Sequence, residues 1–356
     1  MSYAVLLSGG VDSSVALWEL ARDPGRDIAA YYLKVWLEDE LDYLGECPWE
    51  EDLAYARSVC DSAGVPLTVV SLQLEYYDRV VSYAIEELRA GRTPSPDIFC
   101  NERIKFGAFL DYLERDGRGP DLKIATGHYA RITSEGDHVL LRRAPDPVKD
   151  QTYFLAHLSQ AQLRQIVFPI GSLTKADVRR RAHEYNLPNK DRPDSQGICF
   201  LGKVRYPEFI RHYLGTRRGP IVEAETGTVL GHHNGYWFHT IGQRQGLGLS
   251  GGPWYVVGKE VESNTIRVSH GEAVHTRARR GFVVRDLSWT WRPPAGGTCT
   301  VKIRHGPALI PSSIRAVGKG QIQVTMDLPD RGVAPGQFAV FYEDDICLGC
   351  GRITDE

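Results

Sequence analysis

Ser8-Gly9-Gly10-Val11-Asp12-Ser13-Ser14 follows an apolar run, Tyr3–Leu7, and opens a stretch, Val11–Leu20, whose apolar residues recur at helical spacing. The order is strand, glycine turn, helix. Paired glycines let the backbone turn tightly and present N–H groups to an anion without a Cβ in the way. The helix behind adds its positive end, and Ser13 and Ser14 add hydroxyl donors, so the stretch reads as a phosphate-binding loop. Asp12 would repel a bare phosphate, so a magnesium ion (Mg2+) between the two is expected. No Lys-Ser/Thr follows the glycines and the spacing is not GxGxxG, which excludes a Walker A loop and a dinucleotide fingerprint.

Outward from that loop the alternation continues. Ile28–Trp36, Pro66–Leu72 and Leu122–Thr126 read as strands, and Leu53–Ala63, Val80–Leu88 and Ile104–Leu113 as helices. Strands separated by helices predict an α/β domain with a buried parallel sheet, and ligands in such sheets lie at the carboxyl ends of the strands. Past about residue 205 glycine turns multiply. From Gly281 onward the β-branched runs Phe282–Val284, Thr298–Ile303, Gln321–Met326 and Phe338–Tyr342 predict a small antiparallel β-barrel, with Trp289–Gly297 as a loop within it. The expected division is a catalytic domain over 1–205, a small central domain over 206–277 and a C-terminal barrel over 278–356.

The 356 residues, 42 % hydrophobic and 24 % charged, have a globular composition. No run of about 18 apolar residues occurs, so no membrane span is expected. The N-terminus has no basic region before its apolar run, unlike a signal peptide. Seven cysteines are too few for a disulfide framework in a chain this long, and the number is odd, which favours a reducing cytoplasmic compartment. Net charge is −3, but it is unevenly spread. Residues 1–200 hold 23 Lys+Arg against 31 Asp+Glu, whereas residues 201–320 hold 17 against 7. The second segment could offer a basic face to a polyanion, although scattered solvated arginines would give the same count.

Two cysteines lie in punctuated polar loops. Cys100 ends Thr93-Pro94-Ser95-Pro96-Asp97-Ile98-Phe99-Cys100, just before a predicted helix whose N-terminal potential would favour a thiolate, with Asp97 nearby as a candidate general acid or base. Cys199 lies in Asp194-Ser195-Gln196-Gly197-Ile198-Cys199, where Gly197 gives the loop freedom. One such cysteine is most simply a small buried hydrophobe; two in one α/β domain point to redox or sulfur chemistry. Cys47 and Cys60 lack any partner motif. Cys347-Leu348-Gly349-Cys350 has CxxC spacing without a second ligand pair, so barrel-strand cysteines are expected there rather than zinc. Gly246–Gly252 reads as a turn or a mobile loop.

SGGVDSS resembles the PP-loop of ATP pyrophosphatases, a Rossmann-like group related to the adenine nucleotide alpha hydrolases. The whole chain is similar to the tRNA-specific 2-thiouridylase family, in PDIFCNERIKFG at 96–107, ATGHYAR at 125–131, KDQTYFL at 149–155, DSQGICFLG at 194–202 and HTIGQRQGLG at 239–248. The resemblance implies that ATP adenylates the C2 oxygen of a tRNA wobble uridine. It implies too that Cys199 carries a persulfide sulfur to C2, attacking directly or freed as sulfide by Cys100. Cys100 and Cys199 would finish as a disulfide, with AMP and pyrophosphate released and Asp97 moving the proton. It implies further that Leu6, Leu7, Ser8, Gly9, Gly10, Val11, Asp12, Ser13, Leu33 and Gly127 bind ATP, and that Ser95, Pro96, Asp97, His128, Lys149, Asp150, Gln151, Arg304, His305 and Gln337 contact tRNA. A sulfur donor such as a cysteine desulfurase is the implied protein partner. The target base must leave its stack to react.

Two departures stand out. Ser95 replaces the Asn that often precedes Pro-Asp, which leaves a shorter donor for the base, and His305-Gly306-Pro307 replaces a basic string in the barrel. The rival reading is another PP-loop ATP pyrophosphatase, amidating or ligating a different acceptor, which would not need Cys100 or Cys199.

Overall fold

The computed structural model describes residues 1–35, 48–119, 121–194, 206–271 and 273–354. Cys47 and Cys199 lie outside the described residues. Five strands form a parallel sheet in the order β3-β2-β1-β4-β7, with β1 at Ser2–Leu6, β2 at Asp27–Lys34, β3 at Leu67–Ser71, β4 at Lys123–Ala125 and β7 at Ile166–Val167. β1 is central and buried on both faces, which explains its unbroken apolar run. Ala4 and Leu6 pack into one core with Tyr31, Ile104 and Phe109, while Tyr3, Val5 and Leu7 pack into another with Leu17, Leu20 and Val59. The helix Val11–Ala21 returns over the sheet and sets Val11, Val15 and Ala16 against Tyr129, Ile170 and Val178.

Between β4 and β7 the chain forms a hairpin, β5 at Ala130–Glu135 and β6 at His138–Arg143. β6 pairs with the far end of the chain, Cys347 opposite Leu141. This connection was not expected from sequence, because its partner strand lies about two hundred residues away.

The central part holds a four-stranded sheet, β10-β11-β8-β9, made of β8 at Gly219–Glu223, β9 at Val229–His233, β10 at Trp254–Glu260 and β11 at Thr265–His270. The C-terminal part is a closed six-stranded antiparallel barrel. β12 at Arg279–Trp289 pairs with both β15 at Gln321–Asp330 and β17 at Ile346–Ile353, and β14 at Ile310–Gly318, β13 at Thr298–Lys302 and β16 at Phe338–Glu343 complete the ring. β14 escaped the sequence reading, and β17 was expected only as a strand carrying Cys347 and Cys350, without bounds. Glycines and serines dilute their apolar pattern. Cys347 and Cys350 sit on β17, both buried, and burial pushes both thiols well up.

The barrel does not stand apart. Phe338, Val340, Tyr342, Cys347 and Cys350 share one apolar core with Phe99, Cys100 and Tyr153. Tyr153 donates its hydroxyl hydrogen bond to the Phe338 carbonyl at 3.1 Å. No helix of the described residues is long and apolar enough to cross a membrane.

Candidate active site

β1 lies between β2 and β4, so the loops leaving its carboxyl end open the crevice where the sheet order reverses. A cleft of about 550 Å³ occupies this place. Of the expected nucleotide residues, Leu6, Leu7, Ser8, Asp12, Ser13, Leu33 and Gly127 line it. Gly10 is the N-cap of the first helix and has no side-chain cap, so the first-turn N–H groups remain available to an anion. Its carbonyl accepts from the hydroxyls of Ser13 and Ser14, each at 3.0 Å. Val11 is buried beneath the loop.

Two glycines here are required by contact. Gly9 has φ +74°, and a Cβ on it would meet the Asp52 carbonyl oxygen at 2.3 Å. A Cβ on Gly127 would meet the Ser13 backbone nitrogen at 2.6 Å. The segment after β4 therefore presses directly against the phosphate loop. Asn189 and Arg192 hold the loop from the other side, donating to the Gly9 carbonyl at 2.8 and 3.0 Å. Arg192 also pairs with Asp52 and lies 4.7 Å above the Tyr55 ring.

Asp12 is tied more closely than the sequence suggested. Its Oδ1 accepts from the Tyr129 hydroxyl at 2.8 Å and from Lys175 Nζ at 2.7 Å. Lys175 also reaches Asp194 at 2.8 Å, and Asp194 takes Lys149 at 2.7 Å and Arg179 besides. Burial alone would raise the Asp194 carboxyl, but hydrogen bonds from Lys149 and Lys175 hold it below the usual range. Burial, then the Asp12 charge, pushes the Tyr129 phenol far up, so it stays a donor. Lys175, Asn189 and Arg192 carry no local motif, and ATGHYAR around Tyr129 does not mark its partner; these contacts span more than a hundred residues.

The facing wall carries Cys100. The helix begins at Pro96, its first residue after Ser95, so Cys100 is the fifth helical residue and not at the N-terminus expected. From Cys100 to Ala108 the helix is π-helical, a form that recurs at functional sites. Gln162 Nε2 donates to the carbonyls of Glu102 and Phe106 at 2.9 and 2.8 Å, which ties this segment to the helix Gln160–Arg164. Asn101 Nδ2 donates to the Phe154 carbonyl at 3.1 Å. Cys100 is 5 % exposed and lines the cleft together with Asp97 and Lys105.

His128, Lys149, Gln151 and His305 line the same cleft. Burial, then the Lys105 ammonium, keeps the His128 imidazole well below its ordinary value, so it is neutral. His128 Nδ1 lies 2.8 Å from the Thr126 hydroxyl. Gln151 Oε1 accepts from the Tyr129 N–H at 2.9 Å. His305 comes from the barrel and stacks on Phe154 with ring centroids 4.6 Å apart.

The remaining expected contacts lie elsewhere. The Asp150 side chain is buried and turned to the barrel, where Lys302 Nζ donates to it at 2.8 Å. Burial alone would raise its carboxyl, but Lys302 wins and holds it low. Gln337 Nε2 donates to the Pro94 carbonyl at 2.8 Å and so fastens the turn that carries Ser95 and Pro96, both buried. Arg304 forks onto Asp330 at 2.8 and 2.7 Å.

Comparison with known proteins matches three family models along the chain. Residues 1–203 match a family described as tRNA methyl transferase HUP domain, residues 207–270 the tRNA methyl transferase PRC-barrel domain, and residues 279–353 the aminomethyltransferase beta-barrel domain. The chain is 47 % identical over 363 residues to the tRNA-specific 2-thiouridylase MnmA of Parabacteroides distasonis, covering 100 % of this chain and 99 % of that one. It is 45 % identical over 367 residues to the protein of the same name from Porphyromonas gingivalis, covering 99 % of each. With tRNA-specific 2-thiouridylase MnmA 1 of Bacteroides thetaiotaomicron it shares 44 % over 361 residues, covering 99 % of this chain and 100 % of the other. Identity at this level along the full length means that the chain belongs to the MnmA family of tRNA-specific 2-thiouridylases.

Proposed function

We propose that this protein is an ATP-dependent tRNA-uridine 2-sulfurtransferase acting on the wobble uridine. The observation that carries the reading is a shared cleft: Cys100 and Asp97 open into the space lined by the phosphate loop. An enzyme that only activated an acceptor would have no use for a thiol there.

In this reading ATP lies against Leu6–Ser13, with Leu33 and Gly127 beside it, and the C2 oxygen of the uridine attacks the α-phosphorus. Pyrophosphate leaves, and the adenylated oxygen becomes a leaving group. The terminal sulfur of a Cys199 persulfide attacks C2 and expels AMP. The Cys100 thiolate then attacks the Cys199 sulfur, which closes a Cys100–Cys199 disulfide and leaves the transferred sulfur on C2. Asp97 takes the proton that the reaction displaces. A persulfide suits this task because it ionises more readily than a thiol.

The residues present fit magnesium carried in by the nucleotide. Asp12 offers a hard carboxylate oxygen, with the Ser8 and Ser13 hydroxyls at the same loop. Among the described residues no group of three His, Cys, Asp or Glu forms a cage, so phosphate oxygens would complete the coordination. Bound there, the ion would offset charge on the departing pyrophosphate.

The tRNA would approach from the barrel side. His305 and Arg304 project from the barrel, Lys149 and Gln151 from the catalytic domain, and the excess of basic residues over 201–320 supplies phosphate contacts. Asp150 supports this surface from beneath, and Gln337 holds Ser95 and Pro96 in place for the base. A cysteine desulfurase or a relay protein would load Cys199, and the cytoplasm is the compartment where tRNA and reduced thiols meet. We take 1–205, 206–277 and 278–356 as catalytic, central and barrel units of one machine. Replacing Cys199 with Ser tests the reading: thiolated tRNA disappears while ATP-dependent activation persists. A rival PP-loop enzyme would be indifferent to the change.

A further inference from the structure

Cys100 must ionise to act on sulfur, and its place in the helix does not supply that. It is the fifth helical residue, past the first turn where the N-terminal potential acts, and it is 5 % exposed. Burial raises a thiol, and the Asp97 carboxylate, three residues back on the same helix, raises it further. A cation has to offset both.

The π-helical stretch brings one round. In an α-helix the fifth residue on points about 140° away. Here the hydrogen bonds reach five residues back, as from the Phe109 N–H to the Ile104 carbonyl. Five residues then make up a turn, and Lys105 returns to the side of Cys100. Gly107 belongs to this geometry, because a Cβ on it would meet the Glu102 carbonyl oxygen, five residues earlier, at 2.9 Å. Lys105 is half-buried and lines the same cleft as Cys100. After burial, its charge is what keeps His128 neutral.

The surrounding groups leave this task to Lys105. Lys149 is held by Asp194 at 2.7 Å, and Lys34 lies 4.4 Å above the Trp49 ring. Arg103 turns outward, 3.6 Å above the Phe99 ring, and Glu102 faces His157 at 3.1 Å. Across the cleft Asp12 and Asp52 are paired with Lys175 and Arg192. Burial holds the His305 imidazole low and pushes Tyr153, Tyr206 and Cys350 up, so all four are neutral.

We propose that Lys105 is the residue that holds Cys100 as a thiolate in the cleft. The proposal rests on the sulfurtransferase reading above, in which Cys100 attacks sulfur. The thiol gives its proton to solvent through the open cleft, the ammonium stays protonated, and Lys105 makes and breaks no bond to sulfur.

Alkylation of Cys100 by iodoacetamide in the full chain, followed by peptide mass spectrometry from about pH 6 to about pH 10, tests this. The rate follows the thiolate fraction, so its midpoint is the thiol pKa. In the wild type the midpoint is expected below the ordinary value of about 8.5. Lys105→Met raises it by about one unit or more, the lower end of what a close opposite charge does. Lys105→Arg, which keeps the charge, restores most of the shift. An equal midpoint in wild type and Lys105→Met overturns the assignment and leaves the sulfurtransferase reading intact. A slower reaction at every pH with the midpoint unmoved also overturns it, and marks Lys105 as a residue that shapes access. A wild-type Cys100 that is not alkylated anywhere in this range overturns both this proposal and the reading of Cys100 as the attacking thiol.

Discussion

Lys302, a barrel residue, donates to Asp150 of the N-terminal domain across 2.8 Å, and neither side chain has any solvent exposure. Arg143 and the Thr152 hydroxyl complete the carboxylate's partners at 3.2 and 2.9 Å. The pair is a buried rivet between two sequence-distant units, and it underlies the strand β6–β17 seam on one side and the cleft on the other.

Breaking one half of this pair leaves the other charge buried and uncompensated. Lys302→Met is therefore expected to cost about 3–5 kcal/mol. Chemical denaturation measures it. Because His305 is three residues further along the chain, the same variant should also bind tRNA less tightly, whereas ATP binding should hold.

Gly127→Ala tests the close approach of β4's outgoing segment to the phosphate loop. Its Cβ would fall 2.6 Å from the Ser13 nitrogen, and backbone must yield. A shift of about 1 Å in the loop is enough for roughly a hundredfold loss of reaction rate. Release of AMP and pyrophosphate in the presence of tRNA should fall by that order, with the melting temperature little changed.

Much of this site was legible because its signals are local. The phosphate loop and Cys100 with Asp97 each lie within a dozen residues, and each strand or helix of the alternation is a short contiguous run. Lys175 and Tyr129 were not legible, since nothing near them in sequence marks a partner at Asp12. Asp150 shows the limit of a short motif most clearly. Lys149-Asp150-Gln151 reads as one polar strip, yet Lys149 and Gln151 line the cleft while Asp150 turns inward to a lysine 152 residues away. The hairpin β5–β6 was missed for the same reason, its partner β17 being formed at the other end of the chain.

Gln162 ties down the π-helical segment that carries Cys100, donating to the carbonyls of Glu102 and Phe106. Gln162→Leu removes both bonds, at a cost of about 1–3 kcal/mol. Thiolation should drop further than ATP activation does, and comparing the two rates reads that difference.

His239 gives the central domain a pH dependence. Burial first, then His233 and Lys259, lowers its imidazole from 6.5 to about 4. The unfolded chain therefore takes up the proton before the folded one does. Stability is complete above about 6.5 and declines as pH falls toward about 4, by about 3 kcal/mol in all. Thermal melts between pH 7 and 4.5 should show this decline, and His239→Gln should flatten it.

The most direct measurement incubates the purified protein with unmodified tRNA, Mg-ATP and sulfide, then digests the tRNA and weighs its nucleosides by mass spectrometry. The expected result is a uridine in which one sulfur replaces one oxygen, formed only with ATP and lost in Cys100→Ser when sulfur is supplied as a Cys199 persulfide. Formation of AMP and pyrophosphate with uridine left unchanged, on a tRNA that contains the target base and with a competent sulfur donor present, would contradict the assignment of a thiolase.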